Sequence, residues 1–241
     1  MDGQMRILIT GAGGGIGSTL VKGMKDRYAL RGLDRVPMPD LEDAIVGDMA
    51  DFDTVLKATQ DMDAVIHLAN DKTRPVGERI RTSGGDTLPS NNFIGTYNLF
   101  EAARQSGVRR FVYASRAGLL SPYPKSIMRT VDMMPRPESY YSISKVFGES
   151  MGYMYTRQFG MEFVAVRIGN FNRDRPYPDH PHQLSHGDAV RVFERAVTHP
   201  GVKFEIVFGV SDSTWKLYDL EHGKKAIGYY PQDKSEATPE V

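Results

Sequence analysis

Residues 10–17 read Thr-Gly-Ala-Gly-Gly-Gly-Ile-Gly, a glycine-rich turn placed between an apolar run and an amphipathic stretch. Gly11, Gly14 and Gly17 fall on a G-x-x-G-x-x-G spacing, with Gly15 and Ile16 between the last two. Few arrangements constrain a chain more. A tight turn needs a backbone free of Cβ sterics, a pyrophosphate needs close backbone approach, and the following helix must pack hard on its strand. The helix start then presents unpaired N–H groups and a partial positive charge to phosphate. A glycine triplet alone also serves as a plain turn. The strand before it and the helix after it favour a dinucleotide site.

The rest of the chain is consistent with that reading. Strands are expected at 6–10, 28–34, 44–46, 64–68, 110–114, 163–168 and 204–208. Helices are expected at 16–26, 52–60, 92–105, 141–159, 188–199 and 220–227. Such alternation predicts an α/β fold, a doubly wound parallel sheet of Rossmann type. Residues 1–170 are expected to form the dinucleotide-binding domain and 171–241 a small substrate-binding extension of it. Two irregular stretches, 70–90 and 170–183, follow strand ends, where such sheets keep their ligand crevice, and each is a candidate lid or a plain solvated loop. The polar tail from Gln232 is expected to fray.

Composition excludes other classes. Thirty basic residues balance thirty acidic ones, which leaves no field for nucleic acid or a charged membrane. There is no cysteine, hence no disulfide or thiolate metal site. No window approaches the roughly 20 apolar residues of a membrane span, and the N-terminus lacks a secretory pattern, so a cytoplasmic enzyme is expected. His180, His182 and His186 stand close together, but their proline-rich polar setting reads as a solvated loop and no metal is expected.

Asp34 ends the second expected strand, 23 positions after Gly11. An acid there accepts from both ribose hydroxyls and repels a 2′-phosphate, which selects NAD over NADP. Arg35 beside it complicates the choice, because an arginine can partner that phosphate. Asp48 and Met49 follow the third strand and are expected near the adenine, and Leu68 and Ala69 beneath the adenosine. Tyr141 and Lys145 are four apart and project from one helix face. An ammonium beside a phenol stabilises the phenolate, which then takes a proton from a substrate hydroxyl as hydride leaves for the nicotinamide.

Thr-Gly-x-x-Gly-x-x-Gly, His-Leu-Ala after strand four, Asn92 in Asn-x-x-Gly-Thr-x-Asn-Leu, Phe-Val-Tyr-Ala-Ser and Tyr-x-x-x-Lys together resemble the extended short-chain dehydrogenase/reductase superfamily, the NAD-dependent epimerases and dehydratases. The resemblance covers about residues 5–170. Within that group the chain is most similar to the uronate dehydrogenases. It shares their reduced length, Tyr-Asn-Leu-Phe-Glu-Ala-Ala-Arg, Arg167-Ile168-Gly169, and a C-terminal Phe-Gly-Val-Ser followed by Trp215 and Gly-Tyr-Tyr-Pro-Gln-Asp. Those enzymes oxidise the anomeric carbon of a uronate with NAD, giving an aldarolactone. The resemblance implies Tyr141 as base, Lys145 as its activator and ribose ligand, Asn92 as support and Ile168 flanking the nicotinamide. It also implies at least a homodimer, built on the helices at 92–105 and 141–159.

This chain departs from the pattern after strand five. Two consecutive hydroxyl residues are usual there, and here Ser115 is followed by Arg116. Ser115 is expected to keep the catalytic serine's role, the alternative being that Arg116 stands in its place. The Ser-Asn-His that uronate dehydrogenases turn on substrate is replaced by Arg116-Ala117-Gly118. The carboxylate-binding arginine after strand six has no clear counterpart in the loop that begins at Asn170. Arg173, Arg175 or Arg116 is available instead, since a guanidinium grips an acid group with two donors. A sugar or sugar-acid dehydrogenase is the leading expectation. A nucleotide-sugar epimerase or dehydratase would use the same Tyr and Lys, but only about seventy residues follow Asn170 to hold a nucleotide. A non-catalytic dinucleotide sensor is the third reading, and the presence of both Tyr141 and Lys145 speaks against it.

Overall fold

Apolar runs too short for helices, separated by amphipathic stretches, assemble into one seven-stranded parallel sheet with helices on both faces. The computed structural model describes residues 3–71 and 88–238. The strands are β1 (Arg6–Thr10), β2 (Ala29–Asp34), β3 (Asp43–Val46), β4 (Ala64–His67), β5 (Arg110–Arg116), β6 (Glu162–Ile168) and β7 (Phe204–Gly209), in spatial order β3-β2-β1-β4-β5-β6-β7. The order reverses between β1 and β4, and the crevice beyond their C-terminal ends is the position where doubly wound sheets take ligands.

Side-chain alternation along the strands divides the core into two layers. Ile7, Ile9, Ile66, Val112 and Val164 face one way, onto α1 (Gly15–Met24) and α5 (His186–Thr198). Leu8, Val65, Phe111 and Phe163 face the other, onto α2 (Phe52–Thr59), α3 (Thr96–Gln105) and α4 (Tyr140–Phe159). There Phe100 stacks on Phe111 with ring centres 4.1 Å apart. Trp215 packs beside Phe208, Leu217 and Tyr218 in a third cluster under the 3-10 turn at Ala117–Leu120.

The structure differs from the expected elements in three places. The chain leading into α3 is wound as a π-helix over Pro89–Gly95 instead of running α-helically from residue 92. Asn91 and Asn92 in that stretch bond to Asp71, tying it to the end of β4. β5 continues past Ala114 to Arg116, because Ser115 and Arg116 pair with Arg167 and Ile168 of β6. The expectation of a frayed tail from Gln232 is corrected over the described residues 232–238. β9 (Lys234–Ser235) pairs in parallel with β8 (Asp212–Ser213). The backbone N–H groups of Gln232 and Asp233 donate to the buried Asp188 carboxylate at 2.8 and 3.2 Å. Ser211 Oγ and Arg191 complete its shell at 2.6 and 2.7 Å, so the charge is matched by four donors. Of the two candidate lids, the central part of the first, residues 72–87, lies outside the described residues. A short α6 (Glu221–Ile227) precedes the tail.

Candidate active site in the crevice at the strand C-termini

A crevice of about 1190 Å³ opens along the C-terminal ends of β1, β2, β4, β5 and β6. At one end lies the glycine turn. Gly11 adopts φ +72°, and a Cβ there would come 2.7 Å from Ala69 N. A Cβ on Gly17 would strike Gly11 O and fall 2.6 Å from Ala12 Cα. α1 begins at Gly15 with Gly14 as an N-cap that offers no side chain, so its first N–H groups face the crevice without a protein acceptor among side chains. Asp34 Oδ2 accepts from Gly13 N at 2.9 Å and Oδ1 from Val36 N at 3.3 Å. A carboxylate has about four acceptor positions, so room remains for ribose hydroxyls. The cradle, the open helix start and the acid fit a dinucleotide.

Most expected cofactor residues meet at this crevice: Gly14, Ile16, Met49, Leu68 and Ile168 line it, with Asp34 and Arg35 at its rim. Gly11, Gly15, Gly17 and Ala69 line it too. Arg35 spans the mouth to Asp71, with Nη2 2.6 Å from the carboxylate. Asp48 does not line the crevice; its carboxylate accepts from Ala50 N at 2.8 Å. Asn92 lies one layer back, accepting from Asp71 N at 2.7 Å and reaching Ser144 Oγ at 3.4 Å. Sequence spacing gave His67 no role of its own. It is buried between Thr10 Oγ1 and Thr96 Oγ1 at 2.8 and 3.1 Å, pinning the ends of β1 and β4 to α3. Burial, with Lys145 nearby, holds its pKa down to about 3, so the ring stays neutral.

At the other end, Ser139 caps α4 through Ser142 N and sets Tyr141 and Lys145 on the crevice wall. Lys145 Nζ lies 5.2 Å from the Tyr141 ring centre and 5.1 Å from that of Tyr113. Burial, and then the Arg116 charge, lower the Lys145 ammonium to about 7. Burial raises the Tyr141 phenol above its ordinary value, and Arg116 opposes that rise.

The two candidates after β5 have different surroundings. Ser115 Oγ donates to Glu149 Oε1 at 2.6 Å, and Glu149 takes two bonds from Arg167, both 2.9 Å. The Ser115 proton is thus committed to a buried ion pair, although the residue borders the crevice. Arg116 lines the crevice and donates to Ser142 Oγ at 3.0 Å, with its Cζ 5.5 Å from the Tyr141 ring centre. Ala117 and Asn170 also line it. Arg175 does not; it is exposed and pairs with Asp179 at 2.7 Å.

Three further lining residues come from connecting segments, two of them, Arg173 and His182, from the 170–183 stretch expected as a candidate lid. His182 Nδ1 and Tyr218 Oη meet at 3.1 Å, Tyr218 being brought in by a bridge with Arg129. Arg173 reaches back over the glycine turn to Gly13 O at 3.1 Å. The histidines of the 180–186 stretch go to separate partners: His180 faces Asp179, and His186 stacks on Phe171 and meets Asn172 O at 2.8 Å. Among the described residues no group of three or more His, Cys, Asp or Glu is placed to hold a metal.

Residues 7–199 match the NAD dependent epimerase/dehydratase family. The chain belongs to that family. Its cofactor is NAD, and the chemistry is that of an oxidoreductase acting on CH–OH groups. Among curated relatives, the chain is 34% identical to a uronate dehydrogenase of Pseudomonas putida, over 96% of this chain and 85% of that one. It is 33% identical to an NAD-dependent glucose-6-phosphate dehydrogenase of Haloferax volcanii, over 95% of this chain and 94% of that one. Among solved structures, glucuronic acid dehydrogenase from Chromohalobacter salexigens superposes with a TM-score of 0.84 at 32% identity, over 96% of this chain and 85% of that one.

Proposed function

We propose that this protein oxidises a hydroxyl of a sugar or sugar acid, the anomeric one foremost, with Tyr141 as base and Lys145 as activator. The observation that carries the reading is the shared crevice: the glycine turn lies at one end, and Tyr141 with Lys145 5.2 Å from its ring at the other. NAD, when bound, accepts hydride from the carbon that bears the hydroxyl. The work of the chain is to hold that carbon and remove its proton. Tyr141 Oη takes the hydroxyl proton, and Lys145 holds the cofactor ribose and, while protonated, favours the phenolate. Asn92 keeps α4 and the Asp71 segment in register. Asp34 takes the adenosine ribose, and Arg35, already neutralised by Asp71, offers less to a 2′-phosphate; both favour NAD over NADP. Arg116, Ala117 and Asn170 frame the substrate, and residues 171–241, an extension of the same domain, close its far side with His182 and Tyr218.

The same proposal includes a homodimer or larger homo-oligomer in the cytoplasm. The outer faces of α3 and α4 leave Tyr97, Ile143, Tyr153 and Met154 exposed, a surface suited to a second copy. Light scattering behind a sizing column tests it, and a monomer at micromolar concentration would end the idea. Among the described residues no helix is long and apolar enough to cross a membrane.

The activity test mixes purified protein with NAD, then NADP, and follows reduced-cofactor absorbance. Galacturonate, glucuronate, glucose 6-phosphate, L-arabinose and nucleotide sugars are offered in turn. Net reduction with a free sugar supports the proposal. Product without net reduction would make it an epimerase or dehydratase, and cofactor binding with no turnover would make it a sensor.

A further inference from the structure

The group best placed to act on Tyr141, Lys145 apart, is one that the end of β5 ordinarily would not supply. Ser115, the hydroxyl available there, has its proton bound to Glu149 within a buried pair with Arg167. Arg116 occupies the next position and is held from three sides. Its strand pairing with Ile168 fixes the backbone, Ser142 Oγ accepts from Nη1 at 3.0 Å, and Ser142 is itself held by Ser139 Oγ at 2.9 Å. Gly118 leaves the space the guanidinium fills, since a Cβ there would come 2.7 Å from Arg116 Nε. Among the described residues Arg116 makes one polar contact, with an uncharged hydroxyl, and no ion pair. An arginine half-buried without a carboxylate keeps its full charge for its surroundings.

We infer that Arg116 is the permanent cation that sets the charge state of Tyr141, replacing a neutral hydroxyl donor with a fixed positive charge. It acts through Tyr141, as a positioning residue, and the inference rests on the reading of Tyr141 as base. The groups facing this phenol are Arg116 and Tyr113 from β5, Lys145 from α4, and, around the same cavity, His182 and Tyr218 from the segments after β6 and β7. Glu149, one helical turn beyond Lys145, is neutralised by Arg167. Tyr113 is buried and its phenol is pushed well above its ordinary value, and its hydroxyl donates to Ser144 O at 3.1 Å, so it contributes no charge. Of the two cations, Lys145 loses its proton near 7 in this setting, whereas a guanidinium does not titrate. Arg116 therefore remains charged across the range in which Lys145 does not. It also helps depress Lys145, so the two cations are not interchangeable.

The test compares the parent protein with Arg116→Gln, which keeps a donor for Ser142 but removes the charge, and Arg116→Lys, which restores one. The first readout is the ionisation midpoint of Tyr141 in the NAD-loaded protein. It is taken as the tyrosinate difference spectrum against the Tyr141→Phe form of each variant, because the chain has 12 tyrosines. Arg116→Gln should raise that midpoint by about one pH unit or more, and Arg116→Lys should return most of the change. The second readout is the pH profile of kcat for sugar oxidation, whose rising limb should move by the same amount. Turnover at neutral pH should then fall roughly tenfold for each pH unit the limb moves. An unmoved midpoint overturns the inference, and a raised KM with an unmoved midpoint would leave Arg116 as a substrate contact alone. A moved midpoint supports it whether or not Tyr141→Phe retains turnover, and that variant's turnover alone judges the base assignment.

Discussion

The two ends of the crevice are built by different means. At the adenosine end, β1, the turn Gly11–Gly17, the start of α1 and Asp34 at the close of β2 lie within one short stretch of chain, and each position is demanded by backbone geometry. At the other end, which we propose takes the substrate, Arg116, Tyr141, His182 and Tyr218 come from β5, α4 and two connecting segments. They meet only once the sheet has closed. Local physics specifies the first end, and tertiary packing specifies the second. Cofactor use is therefore the robust property of such a chain, whereas substrate choice follows from a few side chains on separate segments.

Substitutions can test that division, beginning with the largest effect. Tyr141→Phe should lower kcat/KM for sugar oxidation by two to four orders of magnitude, roughly the range of a positioned general base, while NAD affinity by fluorescence titration stays near the parent's. Loss of NAD binding in this variant would show that the two ends are not separable. Asp188→Ala leaves Ser211, Arg191 and the tail N–H groups without their shared acceptor, and should cost about 3 kcal/mol in denaturant unfolding. Gly17→Ala drives a methyl into Gly11 O and Ala12, at a cost of about 1–3 kcal/mol from overpacking. It should weaken NAD at least tenfold by calorimetry without changing which sugars are used; altered sugar selectivity would erase the contrast between the two ends. Asp34→Asn should narrow the preference for NAD over NADP by roughly tenfold in kcat/KM, about 1.4 kcal/mol.

The smallest effect concerns stability. Lys145 titrates near 7 in the fold against an ordinary 10.5, chiefly through burial. Between those values the unfolded chain holds the proton and the folded one does not, so this group makes stability rise with pH across the window, and its full penalty applies below it. Lys145→Met should therefore raise the melting temperature of the cofactor-free protein by a few degrees, about 2–4 °C for each kcal/mol relieved, more at pH 6 than at pH 10. A lower melting temperature at pH 6 would mean the ammonium is satisfied rather than strained.

The parts of the molecule that were legible follow from the same division. β1, the glycine turn, Asp34 and the alternation of strands and helices were readable because each rests on spacing within a few residues. Tyr141 and Lys145 were readable because a helix places positions four apart on one face. Ser115 was preferred to Arg116 for the serine's role, but sequence alone did not reveal that Glu149 and Arg167 engage that serine, since those partners lie on α4 and β6. Tyr218 carried no signal at all, and His182 only that of lying in the 170–183 stretch, a candidate lid. A solvated loop and a packing aromatic look alike until a bridge such as Arg129–Tyr218 sets them at the cavity. The pairing of residues 232–235 was missed for a related reason: polar residues form structure when a buried carboxylate waits for their backbone donors.

That carboxylate also has a bearing on the order in which the molecule is completed. Asp188 lies at the start of α5, yet three of its donors, Ser211 and the amides of Gln232 and Asp233, are made later, the last two 44 and 45 residues further along the chain. On a ribosome the cofactor end has its strands and turn in hand long before then. The half of the crevice wall that follows β6 stays electrically unfinished until residues 232 and 233 have been made, so the segment after α6 is a fastening of the fold rather than a loose end.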